Sequence, residues 1–228
     1  MKVLKPHPWQ VSIHEAAEIQ NRLRQEIVIS PINFESINYV AGADVSFSKY
    51  SDDVFAAVVI LSYPELSVIE EATASIKTSF PYVPGYLTFR EGPALVVAFE
   101  KIRVEPDVII FDGQGMAHPR GFGIASHMGV LLDRPSVGCA KSVLIGKYKE
   151  PAITRGSTSP LLDKNGRQIG VALRTRDNVS PVFVSIGNRI SLEDSVKVVL
   201  SCAPRYRLPE PIRRAHSLSN KIRKELLH

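Results

Sequence analysis

A chain of 228 residues that is 44% hydrophobic can bury a full core, which excludes a disordered tail or a disulfide-dependent miniprotein. Its two cysteines, Cys139 and Cys202, form no disulfide framework and lack zinc-ligand spacing, and no stretch approaches the roughly 20 apolar residues of a membrane span. A net charge of +5 and a pI near 9.2 lean toward a polyanionic partner without requiring one. Met1 to Trp9 hold no apolar run that could serve as a signal peptide, so a reducing cytoplasm is the expected location.

Ser12-Ile-His-Glu15 reads as a capping box, and Ala16, Ile19, Leu23 and Ile27 then recur at helical spacing. Tyr39 to Phe47 alternates instead. It places Tyr39, Ala41, Ala43, Val45 and Phe47 on one face of a strand, and Val40, Gly42, Asp44 and Ser46 on the other. Between Gly42 and Ser46, the Asp44 carboxylate is expected to have open space beside it. A turn over Ser48 to Asp53 and strands at Val54 to Ser62 and Ser67 to Lys77 complete an antiparallel meander.

Ser79 to Pro93, rich in proline, glycine and aromatics, opens a helix that runs to about Val104. Asp107 to Phe111 is a short apolar run typical of a buried central strand, and Asp112 stands at its carboxyl end. A helix near Gly123 to Leu132 and a strand at Ser136 to Cys139 follow, with Lys141 just beyond. Tyr148 to Gln168 reads as a polar loop with an Asn165-Gly166 turn. Two short strands, near Gly170 to Thr175 and Val182 to Ile186, form a flanking hairpin. Helices capped at Ser191 and starting at Pro209 end the chain. With no repeat and no linker, residues 1–228 read as one α/β domain: a mixed sheet, an antiparallel meander followed by parallel strands, flanked by helices.

Three acids stand where chemistry is expected. If the first and fourth strands are neighbours, Asp44 and Asp112 face each other, and Glu91 lies in the first turn of a helix. Phosphodiester hydrolysis needs positive charge on its oxyanions and an activated water; carboxylates that hold divalent cations supply both. Each acid also has a plainer reading. Asp44 can hydrogen-bond a neighbouring loop, Glu91 can close a capping box with Thr88, and Asp112 before glycine can be a turn residue. His216 flanks the Ile212, Ala215, Ser219, Ile222 stripe of the last helix; it is either a simple packed residue, the plainer reading, or a ligand or base that reaches the carboxylates. In Pro81-Tyr82-Val83-Pro84 the prolines stiffen a loop whose tyrosine either packs on the core or wedges between stacked bases. Arg205, Arg207, Arg213, Arg214, Lys221, Arg223 and Lys224 either track phosphates or form the solvated face of the last helix.

In order along the chain, these motifs resemble those of the endonuclease V family of deoxyinosine 3′ endonucleases. Ala41-Gly-Ala-Asp-Val-Ser-Phe47 is similar to the family's first-strand motif, and Pro81-Tyr-Val-Pro-Gly-Tyr-Leu-Thr-Phe-Arg-Glu91 to its wedge and helix start. The longest match is Asp112-Gly-Gln-Gly-Met-Ala-His-Pro-Arg-Gly-Phe-Gly-Ile-Ala-Ser-His-Met-Gly129. Gly138-Cys-Ala-Lys-Ser142 and Leu208-Pro-Glu-Pro-Ile-Arg-Arg-Ala-His216 follow. The likeness runs from about Ser12 to the C-terminus and is least distinctive over Tyr148 to Gln168. Gly121 departs from it, standing where a larger residue is expected.

The resemblance implies a ribonuclease H-like fold, with Asp44 and Asp112 as the principal metal ligands and Glu91 completing the acidic cluster. It further implies that His216 assists at the metal, that Lys141 holds the scissile phosphate, and that Pro81, Tyr82, Val83 and Pro84 form the wedge. Gly85, Leu87, Gly113 and His118 would lie near a pocket for a flipped hypoxanthine. The implied reaction breaks a phosphodiester bond one nucleotide beyond a deoxyinosine on its 3′ side, leaving 3′-hydroxyl and 5′-phosphate. Mg²⁺ is the expected cofactor, with Mn²⁺ as a substitute. The expected partner is deoxyinosine-containing DNA, with single-stranded or RNA substrates as further candidates, and the protein is expected to act as a monomer. The rival readings are an inosine-specific ribonuclease, a non-cutting module for damaged DNA, and a junction resolvase that is an obligate dimer.

Overall fold

The computed structural model describes residues 1–48 and 51–227. The strands are β1 (Tyr39–Phe47), β2 (Asp53–Ser62), β3 (Val68–Lys77), β4 (Val108–Phe111), β5 (Ser136–Ala140), β6 (Thr158–Leu162), β7 (Gln168–Leu173) and β8 (Val182–Asn188). The α-helices are α1 (Ile13–Arg24), α2 (Leu87–Lys101), α3 (Ile124–Leu132), α4 (Leu192–Ser201) and α5 (Glu210–Leu227). All eight strands join one sheet in the order β3-β2-β1-β4-β5-β8-β7-β6. β1, β2 and β3 pair as an antiparallel meander, while β4 runs parallel to both β1 and β5, as expected for a ribonuclease H-like sheet. The turn expected between Ser48 and Asp53 includes Lys49 and Tyr50, which lie outside the described residues.

Alternation sorts the side chains into two cores. Ala41 and Ala43 of β1, with Ile109 and Phe111 of β4, face α1, α2 and α3; Val40, Val108 and Ile110 face α4 and α5. Each large side chain withdrawn from water in these layers contributes about 1.5–3 kcal/mol before entropy is counted. At the start of α1, Ser12 and Glu15 make both bonds of the capping box. The Ser191 hydroxyl caps α4 with a single bond of this kind, accepting from the Asp194 amide.

Two local expectations are corrected. The polar stretch Tyr148 to Gln168 contains β6, an edge strand that accommodates Pro160 and pairs antiparallel with β7. And there is no open space beside Asp44 at Gly42. A Cβ there would lie 2.0 Å from the Pro211 carbonyl oxygen, because α5 is seated directly on this face. Gly42→Ala is therefore expected to lower stability by about 1–3 kcal/mol or more through overpacking. Urea unfolding should show an earlier midpoint with an unchanged slope, and an unchanged midpoint would refute the close seating.

Candidate active site

The parallel register places Ala43 beside Phe111, so one further step brings Asp44, inside β1, alongside Asp112, just past the carboxyl end of β4. The Asp112 amide donates to the Ala43 carbonyl at 3.2 Å and secures this step. From the other face α5 brings His216, whose Nδ1 is 3.1 Å from Asp44 Oδ2, and Ser219, whose hydroxyl donates to the same oxygen at 2.8 Å. The Asn220 amide, 3.2 Å from His216 Nε2, holds the far edge of the ring. With an acceptor at one nitrogen and a donor at the other, the neutral imidazole carries its proton on Nδ1. His216 is thus no simple packed residue.

Ligand atoms of Asp44, Asp112 and His216 all lie within 4.8 Å of one another. Two carboxylates and an imidazole make a donor set that suits a hard or borderline divalent cation. Glu91 is not within that span, but the two aspartates act on it. Burial, and then Asp44 and Asp112, push its carboxyl well above the ordinary glutamate range. Burial and Asp112 likewise raise Asp44, partly offset by Ser219, His216 and Lys141. Concentrated buried negative charge of this kind is what a bound cation relieves, so the residues fit a divalent metal.

Glu91 is free for that role because it caps nothing. α2 begins at Leu87, with Tyr86 at the cap position and no side-chain cap bond, so the Thr88–Glu91 capping box does not form. Lys141, just past β5, donates to Asp112 Oδ2. Its backbone is held by Arg207, whose guanidinium bonds the carbonyls of Lys141, Ser180 and Pro181. Arg207 is therefore committed to the protein's own backbone, unlike a phosphate-tracking side chain. Arg213 and Arg214 similarly pair with Glu210.

Beside the acids lies a cavity of about 330 Å³, lined by Tyr82, Val83, Pro84, Gly85, Leu87 and Gly113, among others. Asp112, Lys141 and His118 also line it, so the wedge, one of the three acids and the expected base pocket share one space. Pro81 stands outside this lining, on the exposed approach to the loop. Tyr82 is 63% exposed at the loop's tip, whereas the loop's base is fixed. The Gly85 carbonyl accepts from Gln20 Nε2 at 3.1 Å and from Arg120, whose guanidinium also covers the Tyr86 ring at 3.9 Å. Gly85 itself has φ +82, a conformation that favours glycine. His118 is pushed down to about 4 by burial and by Arg120, so at neutral pH it is uncharged.

Ser219, Asn220, Gln20 and Arg120 carry no local signal in the sequence that marks them as site residues, and Arg207 is legible only as one of a run of cations. Ser219 and Asn220 follow His216 by one helical turn. Gln20 lies on the buried face of α1, where a polar residue is only a weak hint of a functional role. Gln114 adds a further case: its Nε2 bonds the Ser142 carbonyl, while its Oε1 is buried without a partner.

The endonuclease V family model matches residues 21–217. The chain belongs to the endonuclease V family. It is an endonuclease. Endonuclease V of Trichormus variabilis is 49% identical over 220 residues, covering 96% of this chain and 99% of that protein. The crystal structure of Endonuclease V from Streptomyces avermitilis, 41% identical, covers 100% of both chains with a TM-score of 0.93. Endonuclease V of Ciona intestinalis, solved in complex with a 24mer DNA containing an inosine followed by a ribo-adenosine, is 33% identical. That match has a TM-score of 0.82 and covers 94% of this chain and 98% of that one.

Proposed function

We propose that residues 1–228 form one metal-dependent nuclease domain that recognises deoxyinosine in DNA. It hydrolyses the phosphodiester bond one nucleotide beyond the lesion on the 3′ side, leaving 3′-hydroxyl and 5′-phosphate. The observation that carries this reading is the single cavity shared by the exposed Tyr82 tip and the Asp112–Lys141 pair. The inosine-containing ligand of the Ciona protein supports the choice of substrate.

Asp44, Asp112 and Glu91, assisted by His216, would hold Mg²⁺, with Mn²⁺ as a substitute. A bound divalent cation would supply positive charge for the developing oxyanion and a more acidic water. Ser219 and His216 fix the Asp44 carboxylate, and Lys141 presents a cation to the scissile phosphate. Tyr82, flanked by Pro81, Val83 and Pro84, would fill the gap left by the extruded nucleotide. Gly85, Leu87, Gly113 and His118 would enclose the base. Because both His118 nitrogens face the protein, one towards the Arg120 amide and one towards Gly85, the ring offers its face and edge rather than a hydrogen bond. Hypoxanthine pairs poorly, so its extrusion costs less than that of a matched base.

Among the described residues no helix is long and apolar enough to cross a membrane. The reading places the protein in the cytoplasm, working as a monomer, with both cysteines buried and free. A labelled duplex with one deoxyinosine should be nicked on the 3′ side with Mg²⁺ and left intact with EDTA; an unmodified duplex cut equally fast would refute the lesion preference. Tyr82→Ala should reduce the ratio of inosine to control incision by about 10-fold, matching the loss of roughly 1–3 kcal/mol of stacking. If the ratio stays unchanged, Tyr82 is no wedge. A preference for inosine in RNA is the second reading, favoured by the ribo-adenosine in the Ciona ligand. Rates on matched DNA and RNA strands separate the two.

A further inference from the structure

We infer that a second, basic cleft takes the backbone of the nucleic-acid strand 5′ of the lesion, an inference that rests on the proposed 3′ cutting. The cleft measures about 510 Å³ and is lined by Arg24, Arg120, Lys164 and Arg167 against one acid, Asp163. It meets the base cavity at two places. His118 lines both, and Ser142 to Leu144 line the cavity while Ile145 and Gly146, the next residues, line the cleft. None of the catalytic acids borders it.

The direction follows from that arrangement. If the cut bond lies 3′ of the lesion, the strand's 3′ flank runs over Asp112 and Lys141. The 5′ flank must leave the base cavity on its other side, past His118 and into the cleft. The lone acid does not oppose it, because Asp163 is turned inward. It accepts from the amides of Asn165 and Arg167 and pairs with the Arg167 guanidinium at 3.0 Å, which closes the turn between β6 and β7. That turn presents Lys164 exposed at its tip.

Arg24, at the end of α1, enters the same cleft across Gly121. Gly121 has φ +64, and a Cβ there would lie 3.1 Å from Arg24 Nε. Gly121 thus leaves Arg24 room to lie close, where a side chain would make it give by a few tenths of an ångström. Among the described residues neither Arg24 nor Lys164 forms an ion pair, which leaves both charges for phosphates. Each phosphate neutralised releases counterions, so the contact should be salt-dependent.

The test uses strands with one deoxyinosine, a long 3′ flank, and either a long 5′ flank or one trimmed to a single nucleotide. Binding is measured in EDTA over a salt series for the wild type, Lys164→Ala and Arg24→Ala. On the long strand each variant should bind about 3–10-fold more weakly, with the slope of log affinity against log salt reduced by about 1. On the trimmed strand all three proteins should bind alike. An equal loss on both strands, or no loss on either, would overturn the assignment. The same strands with Mg²⁺ separate the two levels. A 3′ nick by the wild type without the flank effect overturns the cleft alone, whereas no nick near the inosine overturns the cutting reading and the direction derived from it.

Discussion

Asp112→Ala is expected to lower single-turnover incision of an inosine-containing duplex by about 10³-fold or more, while leaving the protein folded. The loss of rate follows from the several kcal/mol that a well-placed divalent cation contributes, at about 1.36 kcal/mol per tenfold in rate. The retained fold follows from the site. The side-chain bond that Asp112 makes is to Lys141, which is 39% exposed, so losing that pair costs little. Asp112 also raises the pKa of both Asp44 and Glu91, so its removal relieves buried repulsion. Thermal unfolding in EDTA should therefore be unchanged or shifted upward. Incision within about tenfold of wild type would remove the case for a metal held by these acids.

How much of this was legible before the structure depends on the range of the interaction concerned. β1 was readable to the residue because its alternation is a local signal: Ala41 and Ala43 share one core and Val40 the other. Placing Asp44 next to Asp112 needed only the guess that β1 and β4 are neighbours. The pairing of β5 with β8 was not readable, since nothing local to Ser136–Ala140 names an antiparallel partner so far along the chain. β6 was missed for a different reason. Thr158–Leu162 is short, includes a proline and exposes alternate residues, which is how an edge strand imitates a loop.

The site residues divide along the same line. His216 was ambiguous because an amphipathic stripe tells which face of a helix packs, not which strand it meets. The space beside Asp44 was misread because what fills it, the backbone at Pro211, arrives from much later in the chain. Glu91 was ambiguous because Thr88-Phe-Arg-Glu91 satisfies a capping pattern that is unused when the helix begins one residue before Thr88.

The role of Glu91 makes the most discriminating prediction, because substitution should move stability and activity in opposite directions. Its carboxyl is held well above the ordinary value of 4.5, first by burial and then by Asp44 and Asp112. For a group whose folded pKa is raised, the favourable contribution is complete below the unfolded value and is lost as pH rises through the folded one. Without metal, the wild type should lose stability as pH climbs above the usual carboxylate range, with Asp44 adding to the loss in the same sense. Glu91→Gln keeps the shape and removes the charge. In EDTA at neutral pH and above it should unfold at a higher temperature, by about 2–4 °C for each kcal/mol relieved, and its pH dependence should be flatter. With Mg²⁺ the wild type should gain more than the variant, because binding to the folded state alone is what stabilises it. Incision should fall by about 10–100-fold if Glu91 only supports the metal, and further if it is a direct ligand. A variant that melts lower than wild type in EDTA at high pH would mean that Glu91 is a structural carboxylate, paired in the fold and not waiting for a cation.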